Sequence, residues 1–208
     1  MEINFISKIN LVNDIWELEF SKPSAFVYEA GDYVELAVPS IDAKMLSMSS
    51  NPSEQNLKFT IRIPNKPSQY KQALKKMSID DKCFISPAIG NFNLPKTGKS
   101  KLVFIAFGIG ITPYRSILLE GSLPEIKLIY SAKDVEHIYE DVINKSDAKY
   151  VKVENFSEVK TALQAIDNLA EQIIYIAGPE QPCVQIYAEL LGARIARTNI
   201  KLEYFTGY

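Results

Sequence analysis

The hydrophobic rhythm of the chain changes once, near residues 95 to 100, and that change limits the folds open to it. Before it, apolar and polar residues alternate, as in strands with one buried face. In "IWELEF" Trp16, Leu18 and Phe20 alternate with Glu17 and Glu19. "YVELAV" sets Val34, Leu36 and Val38 against Tyr33 and Glu35, and "LKFTIRI" sets Leu57, Phe59, Ile61 and Ile63 against Lys58, Thr60 and Arg62. One stretch breaks the pattern: "SQYKQALKKM" repeats Tyr70, Ala73, Leu74 and Met77 at helical spacing behind Ser68, an N-cap candidate. The first half therefore reads as an antiparallel β unit with one short helix, and closure into a small barrel removes its sheet edges. In the second half, "LVFIAF" and "IIYIAG" are continuous apolar runs, as strands buried on both faces require. "KLIYSA" and "YVKVEN" are further strands. The helical patterns "PYRSILLEG", "VEHIYEDVINKS", "SEVKTALQAIDNLAEQ" and "QPCVQIYAELLG" interleave with them, the last closing on Gly192 as a C′ residue. Such alternation specifies βαβ units and a parallel sheet, with ligands at the carboxyl ends of its strands.

Composition narrows the chemistry. The 208 residues carry a net charge of −2, without the basic face that nucleic acid binding demands. No apolar run reaches the length of a transmembrane helix, and "MEINFISKIN" lacks a signal-peptide pattern, so the reading is of a cytoplasmic protein. Cys83 and Cys183, far apart, with a single histidine, His137, supply neither a metal centre nor an iron–sulfur cluster. "TGKS" at 97–100 lacks the upstream glycine of a phosphate-binding loop and precedes a strand, so it reads as a linker.

Between the strand "LVFIA" and the helix lies "FGIGITP". Gly108 and Gly110 fit the first two places of G-x-G-x-x-G, but Pro113 stands in the third. Such a turn lets backbone N–H groups converge on a phosphate at a helix N-terminus, and it also serves as an ordinary strand-to-helix connection. Pro113 fits the first helical turn, and Thr112 is placed to cap that helix.

Four segments taken in order add a resemblance. "KMLSMSS" (44–50) ends the third strand of the β unit, "KPSQYKQAL" (66–74) opens its helix, and "FGIGITP" and "AGPEQP" follow. With the ending "LEYFTGY", they resemble the ferredoxin–NADP reductase superfamily along the whole chain, and its short single-chain members most. The flavin motif R-x-Y-S-x-x-S reads here with Lys44 for arginine, Leu46 for tyrosine, and Ser47. The turn G-G-x-G-x-T-P reads with Phe107 for its first glycine, and C/S-G-P appears as Ala177, Gly178 and Pro179.

The resemblance implies an antiparallel β-barrel binding FAD (1–97) and a Rossmann-like parallel-sheet domain binding NAD(P)H (98–208). It implies that Lys44, Met45, Leu46 and Ser47 line the flavin, with Lys44 towards phosphate. Thr60 and Arg62 line the flavin ribose or pyrophosphate, and Pro67, Ser68 and Gln69 form a second anion site at a helix start. Asn65 stands where the family often has glycine. Gly108, Gly110, Thr112, Pro113, Gly178 and Pro179 hold the nicotinamide nucleotide, while Ser131 and Lys133 face its 2′-phosphate, which favours NADPH over NADH. Ser47, Glu203 and Phe205 stand at the reacting centre, and Tyr208 reaches towards the ring. The implied activity is hydride transfer between NAD(P)H and FAD, with electrons passed to a separate one-electron acceptor such as ferredoxin or flavodoxin. Lys44, Leu46 and Phe107 depart from the motifs, which leaves two alternatives: a degenerate flavin- or nucleotide-binding interaction module, and an electron-transfer subunit active only within a larger oxidoreductase.

Overall fold

The computed structural model describes residues 1–95, 101–133 and 136–205. The first half forms β1 (Glu2–Val12), β2 (Ile15–Ser21), β3 (Tyr33–Ala37), β4 (Lys44–Ser47), β5 (Asn56–Arg62), α1 (Gln69–Lys76) and β6 (Lys82–Ile85). Their order across the sheet is β4-β3-β6-β1-β2-β5, antiparallel throughout. A bridge between Met48 and Phe59, with the Ser49 N–H donating to the Lys58 carbonyl at 2.8 Å, brings the two edges together as a barrel. The inward residues are those the alternation selects. Phe20 sits between Phe5 and Phe59, with ring centroids 5.4 and 5.8 Å away in edge-on contact. Segment 44–47 is a fourth strand rather than the end of the third. The chain turns between β3 and β4, where the Ile41 N–H donates to the Val38 carbonyl at 3.0 Å and Ser40 takes a positive φ.

The second half forms β7 (Leu102–Phe107), a 3₁₀ turn (Gly108–Ile111), α2 (Thr112–Leu118), β8 (Ile126–Ser131) and α3 (Glu140–Lys145). Then come β9 (Lys149–Val153), α4 (Phe156–Gln164), β10 (Ile173–Pro179), α5 (Glu180–Gly192) and β11 (Ile200–Phe205). The sheet order is β11-β10-β7-β8-β9, all parallel. β8 lies on one side of β7 and β10 on the other, so the strand order reverses there and opens a crevice between the ends of β7 and β10.

Three helical expectations need correction. Among the described residues of "VEHIYEDVINKS" only Glu140–Lys145 is α-helical, because Tyr139 adopts a left-handed φ of 63° and breaks the turn before it. The long pattern after β9 stops at Gln164, and Asn168 at φ 51° separates it from a 3₁₀ turn at Leu169–Glu171. Gly192 is the last helical residue of α5, and Arg194 takes the left-handed position beyond it, at φ 62°.

The two sheets share a core. Phe92 packs its ring 5.4 Å from Tyr114 and 5.0 Å from Tyr175, in a cluster that joins Ile15 and Ala30 to the face of the parallel sheet. The expected boundary at 97/98 and the "TGKS" stretch fall outside the described residues.

Candidate functional site

At the crevice the glycines divide their work. A Cβ at Gly110 would lie 2.1 Å from the Ala177 carbonyl oxygen, and one at Gly178 would lie 2.7 Å from the Cβ and carbonyl oxygen of Phe107. These two glycines let the turn after β7 and the end of β10 touch backbone to backbone. The bare Cα of Gly110 accommodates β10. Gly108 differs: it needs its φ of +54°, and a side chain there would meet nothing within 4 Å. The open edge of the turn is therefore at Gly108. Thr112 does not cap α2, since its hydroxyl donates to the Ile109 carbonyl at 2.6 Å and Ile111 holds the cap position. Pro113 occupies the first turn, where its missing N–H costs nothing.

Facing this turn across the domain interface is β4. Lys44 and Met45 are exposed, Leu46 is half-buried, and Ser47 is buried with its hydroxyl donating to Glu203 Oε1. Glu203 stands in β11 in register with Ala177, and Phe205 in register with Pro179, so "AGP" and the last strand converge on the end of β4. Burial raises the Glu203 carboxyl from its ordinary value near 4.5 to about 7; the Ser47 hydrogen bond opposes that rise and Asp32 adds to it. A carboxyl near 7 beside a serine hydroxyl can hold or release a proton at neutral pH.

Other expected contacts have different partners. Ser68 caps α1 by accepting from the Lys71 N–H at 3.4 Å, with Pro67 and Gln69 flanking it. Arg62 is ion-paired to Asp14 at 2.6 Å and to Glu136 at 2.8 Å. Thr60, buried although it points out of the barrel, meets the Tyr139 hydroxyl. Ser131 is buried at the end of β8, and Lys133 is exposed just beyond it. Tyr208 lies outside the described residues.

Arg115 was not singled out in the sequence. Its guanidinium donates to the Ser49 carbonyl at 2.6 Å and to both Glu54 carboxylate oxygens, at 2.8 and 3.2 Å. Next to it, the Ser116 hydroxyl donates to the Ser50 carbonyl at 2.6 Å, and Asn51 donates to the Ser116 carbonyl at 2.8 Å. The helix behind the glycine turn thus grips the segment following Ser47. A charged residue inside the apolar pattern "PYRSIL" was the available signal.

His137 is structural. Its Nε2 lies 3.2 and 3.1 Å from the carbonyls of Tyr130 and Val153, two acceptors that require it to carry the proton. Among the described residues no cluster of His, Cys, Asp or Glu could hold a metal ion, and no helix is long and apolar enough to cross a membrane. A cavity of about 920 Å³ between Tyr28, Asn93, Lys101 and Leu123 opens at the amino ends of the parallel strands, away from the crevice.

The residues fit a flavin and a nicotinamide nucleotide in part. The exposed Lys44, half-buried Leu46 and the Ser47–Glu203 pair offer a flavin face, and the open Gly108 edge offers a phosphate site. Arg62 and Thr60 do not fit as flavin ligands while they carry their present partners.

No protein-family model matches the chain. It is 29% identical over 188 residues to a flavohemoprotein of Candida albicans, covering 78% of this chain and 46% of that one. It is 26% identical over 158 residues to the reductase component DmpP of a Pseudomonas phenol 2-monooxygenase, covering 73% and 43%. The chain therefore spans less than half the length of these curated relatives. Among solved structures, a ferredoxin NADP+ reductase from Neisseria gonorrhoeae with bound FAD and NADP superposes with a TM-score of 0.84 at 19% identity, covering 98% of both chains.

Proposed function

We propose that the chain is a member of the ferredoxin–NADP reductase superfamily and an FAD-dependent NAD(P)H oxidoreductase. The observation that carries the proposal is the contact between Ser47 and Glu203, which joins the end of β4 to the carboxyl ends of the parallel strands. FAD, when bound, supplies acceptance of a hydride and release of its two electrons one at a time.

The chain's own residues supply placement. Leu46 gives apolar cover where relatives stack a tyrosine, and Lys44 offers one positive charge for phosphate. With FAD bound, the Ser47 hydroxyl would face the hydride-accepting edge of the ring, and the Glu203 carboxyl, which accepts from Ser47, would hold or release a proton beside it. Phe205 covers the same end. Gly108 presents backbone N–H groups to the nucleotide pyrophosphate, and Ser131 and Lys133 lie where the adenosine ribose is read. Lys133 and Ser131 favour NADPH, so Lys133→Ala should cut the ratio of kcat/KM for NADPH over NADH. A native preference for NADH would refute that choice.

The electrons leave to a separate one-electron acceptor, ferredoxin or flavodoxin in kind. One observation favours a second reading, an electron-transfer component of a larger oxidoreductase: the resemblance to DmpP, itself a reductase component. A cytoplasmic setting is part of the proposal and fits two buried free thiols, Cys83 and Cys183.

The test is the absorption spectrum of the purified chain, followed by NAD(P)H oxidation with ferricyanide. A yellow protein that reduces ferricyanide on its own supports the enzyme. Flavin without that turnover favours the component reading, and a colourless chain that refuses FAD would leave only the interaction module.

A further inference from the structure

Residues 136–139, which lead into α3, present two faces. His137 and Ile138 turn to their own sheet, where the Tyr130 hydroxyl donates to the Glu136 carbonyl at 3.1 Å and receives the Ile138 N–H at 3.3 Å. Glu136 and Tyr139 turn the other way, onto the outer face of the barrel. Glu136 pairs with Arg62, which Asp14 also holds. Tyr139 donates to Glu17 Oε2 at 2.7 Å, which leaves the Thr60 hydroxyl to donate to the phenol oxygen. Glu17 and Thr60 are themselves opposite one another in the β2–β5 register, so a single phenol spans both strands. The Arg115 guanidinium lies 5.1 Å from the Tyr139 ring centroid, within cation–π range.

These contacts hold Tyr139 at φ 63°, a left-handed conformation that a bulky residue adopts only when its surroundings impose it. They also reach the start of the segment. The Glu136 N–H donates to the Lys133 carbonyl at 2.7 Å, which ties Glu136 directly to Lys133. Arg62 thus has both terminal guanidinium nitrogens engaged by carboxylates, Nη1 by Asp14 and Nη2 by Glu136, and Glu17 on the neighbouring strand pairs with Lys58 at 4.0 Å.

We propose that Glu136 and Tyr139 are positioning residues for nucleotide recognition, fastening the loop that carries Ser131 and Lys133 to the barrel through Arg62, Thr60 and Glu17. Arg62 and Thr60 then belong to this seam between the domains and not to the flavin site. The inference rests on the oxidoreductase reading, because the loop matters only if a nicotinamide nucleotide binds beside it.

The seam predicts a split that general loosening of the fold does not produce. In the FAD-loaded full chain, Glu136→Gln and Tyr139→Phe should raise the KM for NADPH by about 5-fold or more with kcat nearly unchanged. Binding of adenosine 2′,5′-bisphosphate, followed by calorimetry, should weaken in parallel. Reaction with reduced nicotinamide mononucleotide, which lacks the adenosine end, should stay as in the native chain, and FAD affinity should hold within about twofold. Glu136→Asp, which keeps the charge, should recover part of the loss. Equal damage to both nucleotides, or loss of FAD from either variant, would overturn the assignment. A native chain that binds no nicotinamide nucleotide at all would instead overturn the oxidoreductase reading on which it rests.

Discussion

Replacing Glu203 by glutamine should change how the stability of the chain depends on pH. Burial holds this carboxyl near 7 in the folded state, whereas the unfolded chain releases the proton near 4.5. Between those values the folded state binds a proton that the unfolded state has lost. The contribution is fully present below about pH 4.5 and disappears as pH rises through 7. At about 1.4 kcal/mol per pH unit, that interval is worth up to roughly 3 kcal/mol. Glutamine keeps an acceptor for the Ser47 hydroxyl and does not titrate. Urea unfolding of both proteins at pH 5 and pH 8 provides the measurement. The stability difference should shift by up to about 3 kcal/mol in favour of Glu203→Gln on going to pH 8. Other carboxyls, such as Glu54 and Glu120, titrate alike in both chains and cancel from the difference. Parallel pH profiles would show that Glu203 is solvated as an ordinary carboxylate, and the proton-holding role assigned to it would fall.

Gly110→Ala forces a Cβ to within 2.1 Å of a backbone oxygen of β10, so it should cost at least about 2 kcal/mol and lower Tm by about 4–8 °C. Gly108→Ala should cost only about 1–2 kcal/mol, from the left-handed φ, and weaken nucleotide binding instead; equal Tm losses would mean that β10 moves aside. Ser47→Ala should retain FAD and slow its reduction by NAD(P)H in stopped-flow measurements, by less than the roughly 2.7–4 kcal/mol seen for oxyanion donors. An unchanged rate would remove Ser47 from the reacting centre.

Strand and helix types were legible in the sequence because they depend on side-chain period. The inward set Leu57, Phe59 and Ile61 of β5 and the continuous runs of β7 and β10 are local patterns, and so is the Ser68 cap. The order of the motifs carried the two-part architecture and drew attention to Ser47 and Glu203. What their spacing could not carry was contact. Thr60 and Arg62 face outward by alternation, and that pattern cannot tell water, flavin and a second domain apart. The structure covers them with Tyr139 and Glu136, which lie far along the chain.

The same limit applies to energies. Which glycine gives way to a neighbouring strand and which stays open is decided by the backbone of residues 177 and 178. A glutamate in "KLEYF" carries no sign of a raised carboxyl, because that shift comes from the desolvation that folding imposes on a half-buried side chain. By itself the sequence determined the two rhythms, hence the antiparallel barrel and the parallel sheet, since periodicity acts between neighbours in the chain. Tertiary structure alone decided which polar groups lose water and whom they meet, since desolvation and hydrogen bonding act between neighbours in space.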